Sequence, residues 1–105
     1  MQSLSVLADP TRRRIVELLA GGALCAGDIA SRFEVSAPAI SQHLKMLRNA
    51  HLVQVRREAQ KRIYELNPQG VEELREWVER LRRFWSMKLD ALESALTDPQ
   101  QEKRR

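Results

Sequence analysis

Apolar residues recur along this chain at two spacings, and the change from one to the other separates helices from a hairpin. Over residues 11–20, Ile15, Leu18 and Leu19 fall on one helical face. Asp9-Pro10 in front of them is a helix start, a cap acceptor followed by proline at the first helical position. Gly21-Gly22 ends that helix. The lead-in from Leu4 to Leu7 fits one or two more turns. A second helix is predicted over residues 26–33, with Ile29, Ala30 and Phe33 at inward spacing and Cys25 at or near its N-cap. Glu34-Val35-Ser36 then makes a tight turn. A third helix runs from Ala37 to about Ala50, with Ser36 as N-cap and Pro38 in the first turn, where its missing N–H costs little. Ile40, Leu44 and Leu47, four and three residues apart, form its buried stripe.

The period then drops to two. Leu52–Arg57 and Lys61–Leu66 alternate and are rich in Val, Ile and Tyr, as two strands joined at Glu58-Ala59-Gln60. No Asn-Gly or Asp-Gly marks the turn, so its type is open. Asn67-Pro68-Gln69-Gly70 is a break. Helical spacing returns over residues 71–96, where Val71, Leu74, Val78, Leu81, Trp85, Leu89, Leu92 and Leu96 recur at steps of three and four. Trp77 and Phe84 add an adjacent stripe. A helix of roughly 39 Å with so wide an apolar surface exceeds what a small domain covers alone. Trp77, Val78, Leu81, Phe84, Trp85, Leu89 and Leu92 are therefore expected at a dimer interface. The domain is expected to span residues 1–96, with a polar tail over residues 97–105.

Charge adds a direction. The 105 residues carry a net +4, and residues 36–62 alone carry +5, from Lys45, Arg48, Arg56, Arg57, Lys61 and Arg62 against Glu58. Residues 70–96 carry −1. Two helices joined by a short turn form a helix-turn-helix, and the exposed face of its second helix begins with small and polar side chains. Ser36, Ala37, Pro38, Ala39, Ser41 and Gln42 allow close approach to base edges, with hydrogen-bonding groups in place. Lys45 and Arg48, one to two turns on, suit phosphates. The hairpin tip with Arg56, Arg57, Lys61 and Arg62 has the character of a wing lying along the DNA backbone. The fold class is thus mainly α with a two-stranded β-hairpin wing.

Other classes lack support. There is no apolar run of the length a membrane span needs and no basic-then-apolar leader, which points to a cytoplasmic protein without a membrane partner. No Gly-rich phosphate loop, His-Glu-x-x-His or nucleophile–base pair suggests an enzyme or a cofactor. A winged helix that docks a protein partner is the alternative, against which the +5 segment argues. Cys25 is the sole cysteine, so no disulfide forms within the chain. It reads as a small residue at a cap position; the sharper alternative is a thiol-responsive redox site favoured by the helix N-terminus.

The ordered motifs Leu7-Ala8-Asp9-Pro10-Thr11-Arg12-Arg13-Arg14-Ile15, Asp28-Ile29-Ala30, Ser36-Ala37-Pro38-Ala39-Ile40-Ser41-Gln42-His43-Leu44-Lys45-Met46-Leu47 and Tyr64-Glu65-Leu66 resemble the ArsR/SmtB repressors, over roughly residues 4–96. The resemblance implies a homodimer built on the first and last helices, which adds Leu4 and Leu7 to the interface. It implies double-stranded DNA as partner, with an imperfect palindromic operator, and repression until a signal of unknown chemistry releases it. His43 lies in the family's Ser-x-His-Leu pattern, as a phosphate contact or as packing at the helix edge. His51 stands where relatives commonly have glycine. Arg12, Arg13 and Arg14 read either as phosphate contacts or as a solvated face.

No metal site of the family's types is expected. Leu24-Cys25-Ala26-Gly27-Asp28-Ile29 matches the arsenic and cadmium sensors' pattern, but Gly27 replaces the second cysteine, and one thiolate cannot form a three-sulfur site. The last helix offers Glu72, Glu73, Glu76, Glu79, Asp90 and Glu93 without histidine, among arginines at ion-pair spacing. The run Arg83–Leu92 is similar to the ending of a non-metal branch.

Overall fold

Among the described residues, proline and a capping acceptor start three of the five helices. The computed structural model describes residues 2–97. Its elements are α1 (Gln2–Val6), α2 (Pro10–Ala20), β1 (Leu24–Cys25), α3 (Ala26–Ala30), α4 (Ala37–Asn49), β2 (Val53–Glu58), β3 (Lys61–Leu66) and α5 (Pro68–Leu96). Asp9 caps α2 by accepting from the Arg12 N–H at 3.0 Å, and Ser36 caps α4 by accepting from Ala39 at 3.3 Å. At α5 the Asn67 side chain accepts from the Gln69 N–H at 3.1 Å. The expected break at Asn67-Pro68-Gln69-Gly70 is therefore a helix start of the same chemistry as Asp9-Pro10.

Residues up to Leu74 pack as one unit, and α5 continues from Arg75 as a second. In the first unit, Ile15 and Leu19 of α2, Ile29 of α3, Ile40, Leu44 and Leu47 of α4, Leu52, Val53 and Tyr64 form one core. Val6 joins from α1, and Leu7, Phe33, Val55, Leu66 and Leu74 pack against its rim.

The sheet has three strands in the order β1-β3-β2, all antiparallel neighbours, rather than the expected two. Leu24 pairs with Tyr64 and Cys25 with Ile63. Two residues show no periodicity, so this strand exists only through its partner. Helix α3 stops at Ala30 instead of Phe33. The Ser31 hydroxyl donates to the Asp28 carbonyl at 2.8 Å, and the next N–H groups, of Arg32 and Phe33, bond three residues back. The helix thus tightens into turns.

Helix α4 ends in a Schellman closure. The His51 N–H donates to Arg48 O and the Leu52 N–H to Leu47 O, at 2.9 and 3.0 Å. His51 holds the left-handed position this requires, at φ 62°, without the freedom of glycine. Glycine is instead needed at buried Gly70, where a Cβ would lie 1.7 Å from the His51 carbonyl oxygen. The hairpin turn carries a second left-handed residue, Ala59 at φ 57°, between the paired Glu58 and Lys61.

Two predictions concern this frame. Gly70→Ala should cost roughly 3 kcal/mol or more, although alanine favours helices, whereas His51→Gly should gain about 1 kcal/mol; urea unfolding measures both. The Arg12 N–H, more than any other group, holds the Asp9 carboxyl below its ordinary range. Its stabilising effect is complete above the ordinary aspartate pKa and is lost as pH falls through the lower folded value. Asp9→Asn should flatten that acid limb in thermal melts at decreasing pH.

Candidate nucleic-acid interface

The second helix of the helix-turn-helix, α4, is locked in rotation by its stripe. Ile40 and Leu44 are 1% exposed and Leu47 is 0% exposed. This leaves Ser36, Ala37, Pro38, Ser41, Gln42, Lys45 and Arg48 on the solvent side. Ala39 is half-buried and flanks that arc.

His43 is turned toward α2. Its Nδ1 lies 3.4 Å from Arg12 Nη1 and 3.9 Å from Asp9 Oδ2. Arginine can only donate, so Nδ1 is the acceptor in this contact. The same guanidinium donates through Nε to the Val6 carbonyl at 2.6 Å and through Nη1 to Met46 Sδ at 3.3 Å. Arg12 is thus half-buried, and it joins the end of α1 to the edge of α4. Arg13 and Arg14 are exposed.

The hairpin register sorts the four wing cations. Side chains alternate between faces, so Arg57 and Arg62, which pair directly, share a face with Val55 and Tyr64. Arg56 and Lys61 point to the other face, with Glu58 and Glu65. There Arg56 donates to Glu58 at 2.5 Å and lies 3.5 Å from Glu65. The Glu58 hydrogen bond is the main cause that raises its pKa. Arg56 is thus ion-paired with carboxylates on that face, although its side chain stays half exposed. Among the described residues, Lys45, Arg48, Arg57, Lys61 and Arg62 have no carboxylate partner. Like charges directly opposite across a pair of strands are unfavourable, so the Arg57–Arg62 pair is a place where an anion would relieve repulsion.

Helix and wing come together in a groove lined by Ser41, Gln42, Lys45, Arg48, Asn49, Arg62 and Tyr64. Asn49 and Tyr64 escaped the reading of the sequence. Asn49 carries no charge, and Tyr64 looks like core because its position in the strand alternation points inward.

The remaining candidates lie elsewhere. Cys25 is at the N-cap of α3, half-buried, and makes no capping hydrogen bond. Among the described residues no three His, Cys, Asp or Glu side chains cluster as a metal site, and no helix is long and apolar enough to cross a membrane. Leu4 is exposed and Leu7 packs at the rim of the core. Along α5, Trp77 is half-buried, while Val78, Leu81, Phe84, Trp85, Leu89 and Leu92 are exposed, Trp85 at 54% and Leu89 at 59%. Phe84 and Trp85 stack edge to face at 6.0 Å, and the Lys88 ammonium lies 5.1 Å above the Phe84 ring. The Glu79 carboxylate binds Arg82, whose hydrogen bonds lower its pKa. Of the expected tail, Thr97 bonds back to Glu93; the rest lies outside the described residues.

Comparison with known proteins fits this geometry. The family model for bacterial regulatory proteins of the arsR family matches residues 9–55. An HTH-type transcriptional regulator of Mycobacterium tuberculosis is 49% identical over 83 residues, covering 79% of this chain and 75% of that protein. The transcriptional repressor SdpR of Bacillus subtilis is 42% identical over 72 residues, covering 69% and 80%. A crystal structure described as a possible transcriptional regulator for arsenical resistance superposes with a TM-score of 0.73 at 41% identity, covering 93% of this chain and 99% of that one. A homodimeric winged helix-turn-helix domain from Mycobacterium bovis, solved in solution, gives 0.65 at 27% identity, covering 78% and 76%.

The sorting of the wing is testable by salt-dependent binding to double-stranded DNA. Arg57→Gln and Arg62→Gln should each flatten the slope of log affinity against log salt by about 0.9. Arg56→Gln should leave that slope unchanged.

Proposed function

The chain belongs to the arsR family of bacterial regulatory proteins, and we propose that it is a homodimeric, sequence-specific repressor that works without the family's metal site. Members of this family are regulators of transcription that bind DNA. The observation that carries the reading is the groove between α4 and β3, where small and polar side chains suited to base edges adjoin unpaired cations suited to phosphates.

In this reading Ser36, Ala37, Pro38, Ala39, Ser41 and Gln42 discriminate bases. Lys45, Arg48, Arg57, Lys61 and Arg62 take phosphates, and His43 adds a contact through its other ring nitrogen. The exposed stripe of α5, with Leu4 and Leu7 of α1, forms the subunit contact. An uncovered row of Val78, Leu81, Trp85, Leu89 and Leu92 supports this, since so large an apolar surface is unfavourable in water. The homodimeric neighbour supports it further. A two-fold dimer reads an imperfect palindrome, with half-sites about one helical turn apart or a multiple of it.

Metal control is disfavoured by ligand chemistry. Cys25 has no second thiolate beside it, because Gly27 supplies none. Arsenite should therefore leave DNA affinity unchanged.

Selection of bound duplexes from a random pool tests the whole reading. The expected result is a palindromic consensus whose half-sites Gln42→Ala blurs; recovery of no consensus would overturn the reading. Leu89→Glu should shift the protein from dimer to monomer in sedimentation and weaken binding to the full palindrome far more than to a half-site. A dimer that survives this change and Trp85→Glu together would displace the proposed interface.

A further inference from the structure

Tyr64 combines two properties that seldom coincide. Its residue surface is 6% exposed, and it belongs to the core with Leu44, Leu47 and Leu52. Yet its hydroxyl has no hydrogen-bond partner among the described residues. A buried, unpaired phenol would be costly, but no fully buried side-chain N or O among those residues lacks a partner. The hydroxyl therefore keeps some access to solvent, and Tyr64 lines the groove shared with Lys45, Arg48, Asn49 and Arg62.

We propose that this groove is a built seat for a single DNA backbone phosphate, with the Tyr64 hydroxyl as its fixed neutral donor. The inference rests on the reading of the chain as a DNA-binding regulator. Lys45 and Arg48 approach from α4 and Arg62 from β3, so the anion meets positive charge from both sides. These long side chains lose rotamer freedom when they bind. The phenol is already held by the core and by its pairing with Leu24 and Val55 in the sheet, so its hydrogen bond forms with little ordering cost. It also fixes where the phosphate sits, and hence the depth at which Ser41 and Gln42 meet the bases. A neutral donor releases no counterion, so its signature differs from that of the arginines.

The test is Tyr64→Phe in the full-length protein, measured on the duplex selected by the parent. Phenylalanine keeps the ring in the core, so the urea midpoint should stay the same or rise slightly. Affinity should fall roughly tenfold, as expected for a hydrogen bond to a charged group. The salt slope should not change, whereas Arg62→Gln lowers it. A scan of single methylphosphonate linkages with the parent should find one position per half-site where neutralisation weakens binding, and Tyr64→Phe should reduce the penalty there. Affinity of Tyr64→Phe within twofold of the parent, or equal methylphosphonate penalties in both proteins, overturns the phosphate seat and leaves the repressor reading standing. Failure of the parent to bind any duplex overturns that reading instead.

Discussion

Burial of Ile40, Leu44 and Leu47 is the constraint on which the proposed DNA-facing surface depends. Each of the three is worth about 1.5–3 kcal/mol when removed from water. A helix in α4's place cannot rotate appreciably without exposing at least one of them. The arc from Ala37 to Arg48 on the solvent side is therefore set by hydrophobic packing on the other side. The residues proposed to read DNA are largely exposed and contribute little to stability, and those that aim them are buried on the opposite side of the helix. Arg12 adds a polar tether to this packing, through the Val6 carbonyl, His43 and Met46.

The wing obeys a different rule. Strand alternation puts Arg57 and Arg62 on one face and Arg56 and Lys61 on the other, so four neighbouring cations acquire two environments. Carboxylates from Glu58 and Glu65 satisfy Arg56 on the outer face. The inner face keeps two arginines side by side without a counter-charge. That arrangement is unfavourable for the isolated fold and favourable for a polyanion. The turn that brings these strands together rests on a left-handed Ala59, so the wing holds local strain as well as repulsion at its tip.

The long helix balances its own requirements. Its start is anchored in the first unit by the Asn67 cap and by Gly70 against the His51 carbonyl. Beyond Leu74 it exposes aromatic and aliphatic side chains that a monomer does not cover. Ion pairs such as Glu79–Arg82 lie among them; such pairs add little to stability and help keep the helix soluble. The same element thus ends the winged fold and carries the exposed apolar row proposed as the subunit contact.

Local spacing determined the main helices, the hairpin and the buried stripe of α4, and composition the concentration of charge beside it. Capping chemistry was equally legible at Asp9 and Ser36. The Asn67-Pro68 start was hidden because Gly70 reads as a breaker until its close approach to His51 is known. Only tertiary structure could decide the rest. β1 exists because β3 lies beside it, and Arg56 gains a second carboxylate, after its near neighbour Glu58, because Glu65 lies on the adjacent strand. Arg12 is a tether because α4 passes within reach, and Tyr64 belongs to both core and groove because β3 packs between them. Local sequence determines which face a side chain takes along its own element; what that face meets depends on residues distant in the chain.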